Sequence, residues 1–274
     1  MKNLHIIMPM AGEGNRFKDK GYDVPKPIIR FEGKELYRHA LDSIYESSFV
    51  KNLKDLKIKH TFIVRQEFID NFRINERIKI LYPEANIIAV QKTTRGSLDT
   101  ALLAEPYIDK ENDNILLIDS DLEFRCQNYY DELTYRFVNK YDKGMPVLLS
   151  FYSQDPKYSY AECVDQIVKN NRRYYCIKTA EKQVISTHAL AGCYYFGDAK
   201  MFIEYGKELI KDFENGKIKD KECYVSLLYN YYINNTGYDI TLCDFDIHTD
   251  HLYSYGTPEE LTHYLITKKN VWDK

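Results

Sequence analysis

Four short apolar runs, at residues 4–10, 60–64, 86–90 and 114–118, recur between segments of helical period in the first half of the chain. Each is apolar at consecutive positions rather than at alternate ones. A strand of that kind has both faces buried, which implies a parallel sheet with helices on either side. The intervening segments agree. Apolar residues recur at Leu36, Ala40, Leu41 and Ile44 within 35–47, a helical pattern runs on to Ile80 after the second strand, and another covers about 97–104. The expected architecture is α/β, a three-layer sandwich around a mostly parallel central sheet. The second half is more β-like, with strands expected at 145–152, 174–178, 191–196 and 240–245 and helices at 199–214 and 221–234.

Composition narrows the function classes. The chain has 274 residues, with 38 basic and 41 acidic side chains and a formal charge of −3. That balance lacks the basic excess of a nucleic-acid binder. An apolar fraction of 44% is enough to build a core, and no apolar run approaches the roughly 18 residues of a membrane span. The N-terminal apolar stretch is followed at once by glycines and charges, unlike a signal peptide, so a cytoplasmic location is expected. Six cysteines never reach C-x-x-C spacing, which reads as scattered thiols rather than a zinc site or a disulfide framework. The 25 tyrosines against 13 phenylalanines read mainly as compositional bias. Tyr160, Tyr194 and Tyr224 fall in segments where some could line a pocket.

Three segments carry chemistry on their own residues. After the first strand comes Met10-Ala11-Gly12-Glu13-Gly14-Asn15-Arg16-Phe17, with Pro25-Lys26-Pro27 downstream. Its glycines let backbone N–H groups approach phosphates without Cβ interference. Arg16 offers bidentate donors and Lys26 a compact charge. After the third strand, Gly96 stands at a strand-to-helix junction where backbone can approach a flat base. Ser97 reads as the helix cap and Asp99 as a first-turn carboxylate favoured by the helix dipole. After the fourth, Asp119 and Asp121 alternate onto one face of the strand end and suit Mg²⁺, which keeps waters and substrate phosphates as further ligands.

The order strand, A-G-x-G-x-R-F, P-K-P, helix resembles the signature of the sugar-phosphate nucleotidylyltransferases, and the glycine loop is most similar to a subgroup associated with capsular polysaccharide synthesis. The resemblance runs from Leu4 to about Leu265. It implies a Rossmann-like, glycosyltransferase-A-like nucleotidyltransferase fold in a single domain, 1–274. The nucleotide-binding half would reach to about 125 and the acceptor-binding half would span about 126–274. It further implies that the loop residues Met10 to Gly14 wrap the nucleotide, that Gln91 and Gly96 hold the nucleobase edge, and that Arg16 and Lys26 are catalytic. Asp121 would be the principal metal ligand, with Asp119 beside it. On the acceptor side Lys182 would grip a phosphate, Gly192 would admit the acceptor, and Glu222 would bond its hydroxyls; on its own sequence Glu222 reads equally as a helix N-terminal carboxylate.

The implied reaction couples an NTP with a small phosphorylated acceptor, by default a sugar 1-phosphate, and releases pyrophosphate, for capsule or surface polysaccharide synthesis. A homodimer is one assembly compatible with it. Many family members carry Asp or Asn where this chain has Ser254, so Asp244, Asp246 or Asp250 would have to substitute, or Asp121 act alone. His248 and His251 lie near the presumed cleft without an evident acid–base partner. Two other acceptors or activities remain open: CTP-dependent transfer to a non-sugar phosphate such as phosphocholine or phosphoglutamine, and a metal-dependent glycosyltransferase using its D-x-D. A non-catalytic nucleotide-binding subunit is a third reading, against which Arg16, Lys26, Asp121 and Lys182 stand together.

Overall fold

The computed structural model describes residues 3–139, 145–168, 171–237 and 239–272. Nine strands form one sheet in the order Asn86–Val90, Lys57–Arg65, Asn3–Met10, Asp113–Ile118, His188–Phe196, Val147–Tyr152, Ile240–Asp244, Asn171–Glu181, Ser159–Val168. The first four are mutually parallel. Two strands, His188–Phe196 and Asn171–Glu181, run against the rest. The sheet is therefore mostly parallel and crosses both halves of the chain.

The consecutive apolar runs have a direct physical reason. Leu4, Ile6, Met8 and Met10 enter one core with Phe62, Val64, Leu116 and Ile118. Ile7, Ile63, Ile115 and Leu117 enter a second core on the other face. Each face needs its own cover. The helix Leu36–Tyr45 buries Leu36, Tyr37, Ala40, Leu41 and Ile44, most of which join the first core, together with Tyr129 and Leu133 of the helix Gln127–Val138. The helix Ala199–Glu214 begins where the Asp198 carboxylate accepts the Met201 N–H at 2.9 Å, and buries Phe202, Ile203 and Leu209 against the second. Full burial of one such side chain contributes about 1.5–3 kcal/mol. Three layers result.

Several local expectations change. The helical pattern running to Ile80 is two helices, Gln66–Phe72 and Ile74–Leu81, parted at Arg73 with φ 52°. The helix expected at 221–234 starts late: a 3₁₀ turn at Val225–Leu227 precedes Leu228–Thr236, and residues 221–224 are irregular. The strand Ser159–Val168 and the two-stranded ribbon of Leu122–Arg125 with His251–Ser254 were not legible in the sequence. Seven tyrosines, among them Tyr37, Tyr160, Tyr229 and Tyr255, are among the largest fully buried side chains, so much of the surplus is core material.

Candidate active site

The strands Asn3–Met10 and Asp113–Ile118 are parallel neighbours, so the segments that follow them leave the sheet at the same edge. One brings the glycine loop and the other brings Asp119 and Asp121. The Asp119 N–H donates to the Gly192 carbonyl at 2.9 Å, and the Asp121 carbonyl accepts the Tyr255 N–H at 2.7 Å. Lys26 then reaches in from the second loop, its Nζ donating to Asp121 Oδ2 at 2.8 Å. Phosphate-type cation and metal-type carboxylate thus meet at one point.

Asp119 is crowded from behind by protein, while its side chain stays open to solvent in the cleft. Desolvation by those neighbours and the Asp121 carboxylate both push its pKa up, against a lesser opposing pull from Lys26. Gly192 lies directly on it: with φ 68°, a Cβ there would collide with the Asp119 carboxylate.

Three chambers share Asp119 as a common wall. The largest, about 740 Å³, is lined by Ala11, Gly12, Glu13, Gly14, Arg16 and Lys26, with Thr93, Gly96, Ser97, Glu222 and Tyr224 opposite. Gly14 takes φ 67° at the turn into the short helix Asn15–Lys18. Arg16 is exposed to this chamber and has no counterion among the described residues. Glu13 is braced from both sides, accepting from Asn15 at 3.0 Å and from the Thr93 hydroxyl at 3.0 Å. Met10 and Gln91 do not line the chamber: Met10 is in the core and Gln91 is exposed outside it. Gly96 (φ 146°) lines the chamber and is also required by packing, since a Cβ would sit 2.5 Å from the Cys223 carbonyl oxygen. Ser97 is not a cap; its hydroxyl accepts the Val225 N–H at 3.3 Å and ties the helix Ser97–Leu102 to the acceptor side.

The second chamber, about 290 Å³, is polar and holds Glu222, Tyr224, Gly192, Tyr194, Glu181 and Lys157. Lys182 (φ 53°) reaches its edge by donating to the Tyr224 hydroxyl at 2.6 Å. Glu181 is buried and accepts from the Ser159 and Ser226 hydroxyls; burial pushes its pKa up. Since residues 221–224 are irregular, Glu222 is no helix N-terminal carboxylate, and it faces both this chamber and the first. Tyr194 and Tyr224 line the pocket, whereas Tyr160 is buried with its hydroxyl on the Asp155 carbonyl at 2.7 Å. Lys157, a cation that motif spacing did not reveal, belongs to this wall.

The third chamber, about 500 Å³, lies beyond Asp121 and includes Ser254, Asp246, Asp250 and His251. Asp244 is turned elsewhere, onto Ser150 and His188. His248 is exposed. Among the described residues no group of three His, Cys, Asp or Glu side chains is arranged to hold a metal ion. Two carboxylates still fit Mg²⁺, which takes its remaining ligands from water and phosphate. A divalent cation would also offset the repulsion that raises Asp119.

No family model and no curated protein sequence matches the chain. Solved structures do. It is similar to a nucleoside-diphosphate-sugar pyrophosphorylase from Vibrio cholerae RC9, with 23% identity, TM-score 0.73, and 95% of this chain and 99% of that one covered. A UDP-glucose pyrophosphorylase complexed with UDP-glucose follows at 15% identity and TM-score 0.70, with coverages of 98% and 99%. The inositol-1-phosphate CTP transferase from T. maritima aligns at 17% identity and TM-score 0.64, covering 96% and 95%. The chain has the nucleotidyltransferase fold. Within this fold, the first chamber sits at the carboxyl edge of the parallel strands, and the antiparallel strand His188–Phe196 brings Gly192 against Asp119, which the three chambers share. No helix among the described residues is long and apolar enough to cross a membrane.

Proposed function

We propose that the chain is a nucleotidylyltransferase that joins an NTP to a small phosphorylated acceptor and releases pyrophosphate. The observation that carries this reading is the 2.8 Å contact between Lys26 and Asp121 at the end of a cleft walled by Gly12, Gly14 and Arg16. An acceptor phosphate oxygen forms the new bond to the α-phosphorus. The bond from that phosphorus to the bridging oxygen breaks, and its electron pair leaves with pyrophosphate. The nucleophile is already anionic, so the protein's task is positioning and charge neutralisation. Arg16, free of counterions, suits the departing pyrophosphate; Lys26 suits the α-phosphate; Lys182 and Lys157 suit the acceptor side. Asp121 with Asp119 would hold Mg²⁺, which supplies charge neutralisation at the phosphate oxygens when bound.

The likeness in fold to pyrophosphorylases and to an inositol-1-phosphate CTP transferase supports the reading. A sugar 1-phosphate is the default acceptor, and capsule or surface polysaccharide synthesis is the role the sequence resemblance implies. The glycosyltransferase alternative leaves Arg16 and Lys26 without a task, because a nucleoside-diphosphate donor has no pyrophosphate to release. The test is a pyrophosphate-release screen of four NTPs against a panel of phosphorylated acceptors with Mg²⁺. Release in an acceptor-dependent well supports transfer; none in any well, with turnover of a nucleotide sugar instead, would reassign the chain.

A further inference from the structure

The chamber beyond Asp121 has a lining unlike its neighbours. Five carboxylates face it, from Asp119, Asp121, Asp246, Asp250 and Glu260, and no lysine or arginine does. Five aromatic rings complete the wall, from Phe151, Tyr152, Tyr158, Phe245 and Tyr264. Most are fixed by other rings. Tyr158 meets Phe151 edge-on at 5.0 Å, Tyr264 meets Tyr253 at 4.9 Å, and Phe245 meets Phe124 at 6.3 Å. Asp246 and Asp250 accept backbone N–H groups of their own turn and of Gln127, but neither has a cation partner among the described residues.

Ring faces beside carboxylates are the groups that recognise an organic ammonium. The same wall already does so once. Lys157, from the neighbouring polar chamber, holds its Nζ 4.8 Å from the centre of the Tyr158 ring and 3.1 Å from Glu260 Oε1. The chamber also opens onto Asp119 and Asp121, where the acceptor's phosphate has to arrive.

We infer that this chamber takes the positively charged end of the acceptor, which is a phosphomonoester of an amino or quaternary ammonium alcohol rather than of a neutral sugar. The inference rests on the nucleotidyl-transfer reading above. The phosphate would lie at the Asp119 and Asp121 wall and the ammonium among Tyr158, Tyr264, Asp246 and Asp250.

The experiment separates charge from shape. Pyrophosphate release is measured for each of the four NTPs with phosphocholine, phosphoethanolamine, 3,3-dimethylbutyl phosphate (the uncharged isostere of phosphocholine) and glucose 1-phosphate. A cationic acceptor is expected to exceed the isostere about tenfold or more in kcat/KM, and Asp246→Asn to narrow that ratio. Equal or better turnover of the isostere or of glucose 1-phosphate overturns the inference while leaving nucleotidyl transfer standing. If no acceptor yields pyrophosphate, the transfer reading falls and calorimetry decides the chamber separately. Choline binding about tenfold tighter than 3,3-dimethylbutanol, and weakened by Asp246→Asn, supports a cation site; indistinguishable or undetectable binding of the two overturns it.

Discussion

The ammonium of Lys26 lies 2.8 Å from a carboxylate oxygen of Asp121, across 95 residues of sequence. Both side chains are largely buried, at 27% and 17% exposure, yet both face the cleft. A pair so placed holds opposite charges ready for ligands of either sign. It ties the segment that carries Pro25, Lys26 and Pro27 to the strand end that carries Asp119 and Asp121.

Removing either partner is expected to stop turnover without unfolding the protein. Lys26→Ala or Asp121→Ala should lower pyrophosphate release by at least roughly 10²–10³-fold, the scale for losing one charge-stabilising group. Because both side chains face the cleft, water there can solvate the charge left behind, so the thermal midpoint should move by only a few degrees. Wild-type rates from either variant would remove both residues from the mechanism.

Two glycines of the first chamber should behave in opposite ways. At Gly12 an added Cβ meets nothing within 4 Å, so Gly12→Ala should change stability by less than about 0.5 kcal/mol while raising KM for the NTP. At Gly96, φ 146° and the Cys223 backbone leave no room, and Gly96→Ala should cost roughly 2–4 kcal/mol. Denaturant melts of the two variants, run beside NTP titrations, separate the effects.

Stability should fall as the medium is acidified through the histidine range. Burial, with a smaller contribution from His5, lowers the His60 pKa from its ordinary 6.5 to about 4. Below pH 6.5 the unfolded chain takes up a proton at this position that the folded chain refuses until about pH 4, so stability present above 6.5 is lost through that window. The loss approaches about 3 kcal/mol. His188 acts with the opposite sign, its pKa raised by the hydrogen bond its ring donates to the Asp244 carboxylate, so its contribution is complete below 6.5 and fades as pH rises through the folded value. His60→Phe should flatten the acid limb of a melting-temperature profile; an unchanged limb would show that other groups govern it.

Chelation with EDTA is expected to abolish pyrophosphate release and added Mg²⁺ to restore it. Ser254 lines the chamber beyond Asp121, and its hydroxyl would lie 3.5 Å from a Cβ placed on Gly256, itself 3.3 Å from Asp121 Oδ2. Ser254→Asp should therefore lower the Mg²⁺ concentration needed for half-maximal rate. A titration of rate against Mg²⁺ for both proteins checks this, and a higher requirement in the variant would exclude position 254 from the metal's surroundings.

The parallel core was readable because its inner strands are buried on both sides, so the run at 114–118 falls within the fully buried strand Asp113–Ile118. Ser159–Val168 escaped notice because it is an edge strand whose positions from Glu162 to Ile167 are mostly exposed and mix polar with apolar residues, so no apolar run or alternation stands out. The ribbon of Leu122–Arg125 and His251–Ser254 is too short for any period to show. In the site, Gly12, Gly14, Arg16, Lys26, Asp119 and Asp121 were legible because each group occupies one contiguous segment. Gln91 was assigned by likeness alone, while Gly96, read from its strand-to-helix junction, is also demanded by the Cys223 backbone. The aromatic wall could not be seen at all. Phe151 and Tyr158 come from one stretch of the chain and Phe245 and Tyr264 from another far downstream, and only the fold gathers them.

Asp119, as the wall common to three chambers, has a corollary for specificity. Its environment is set by a buried strand end and by Gly192, where almost no substitution is tolerated. The outer walls come from a strand end at Tyr152 and a loop at Ile247, whose side chains are 75% and 86% exposed. On the proposed function, exchanging these outer walls would change which acceptor is taken and leave the Asp119 centre as it is.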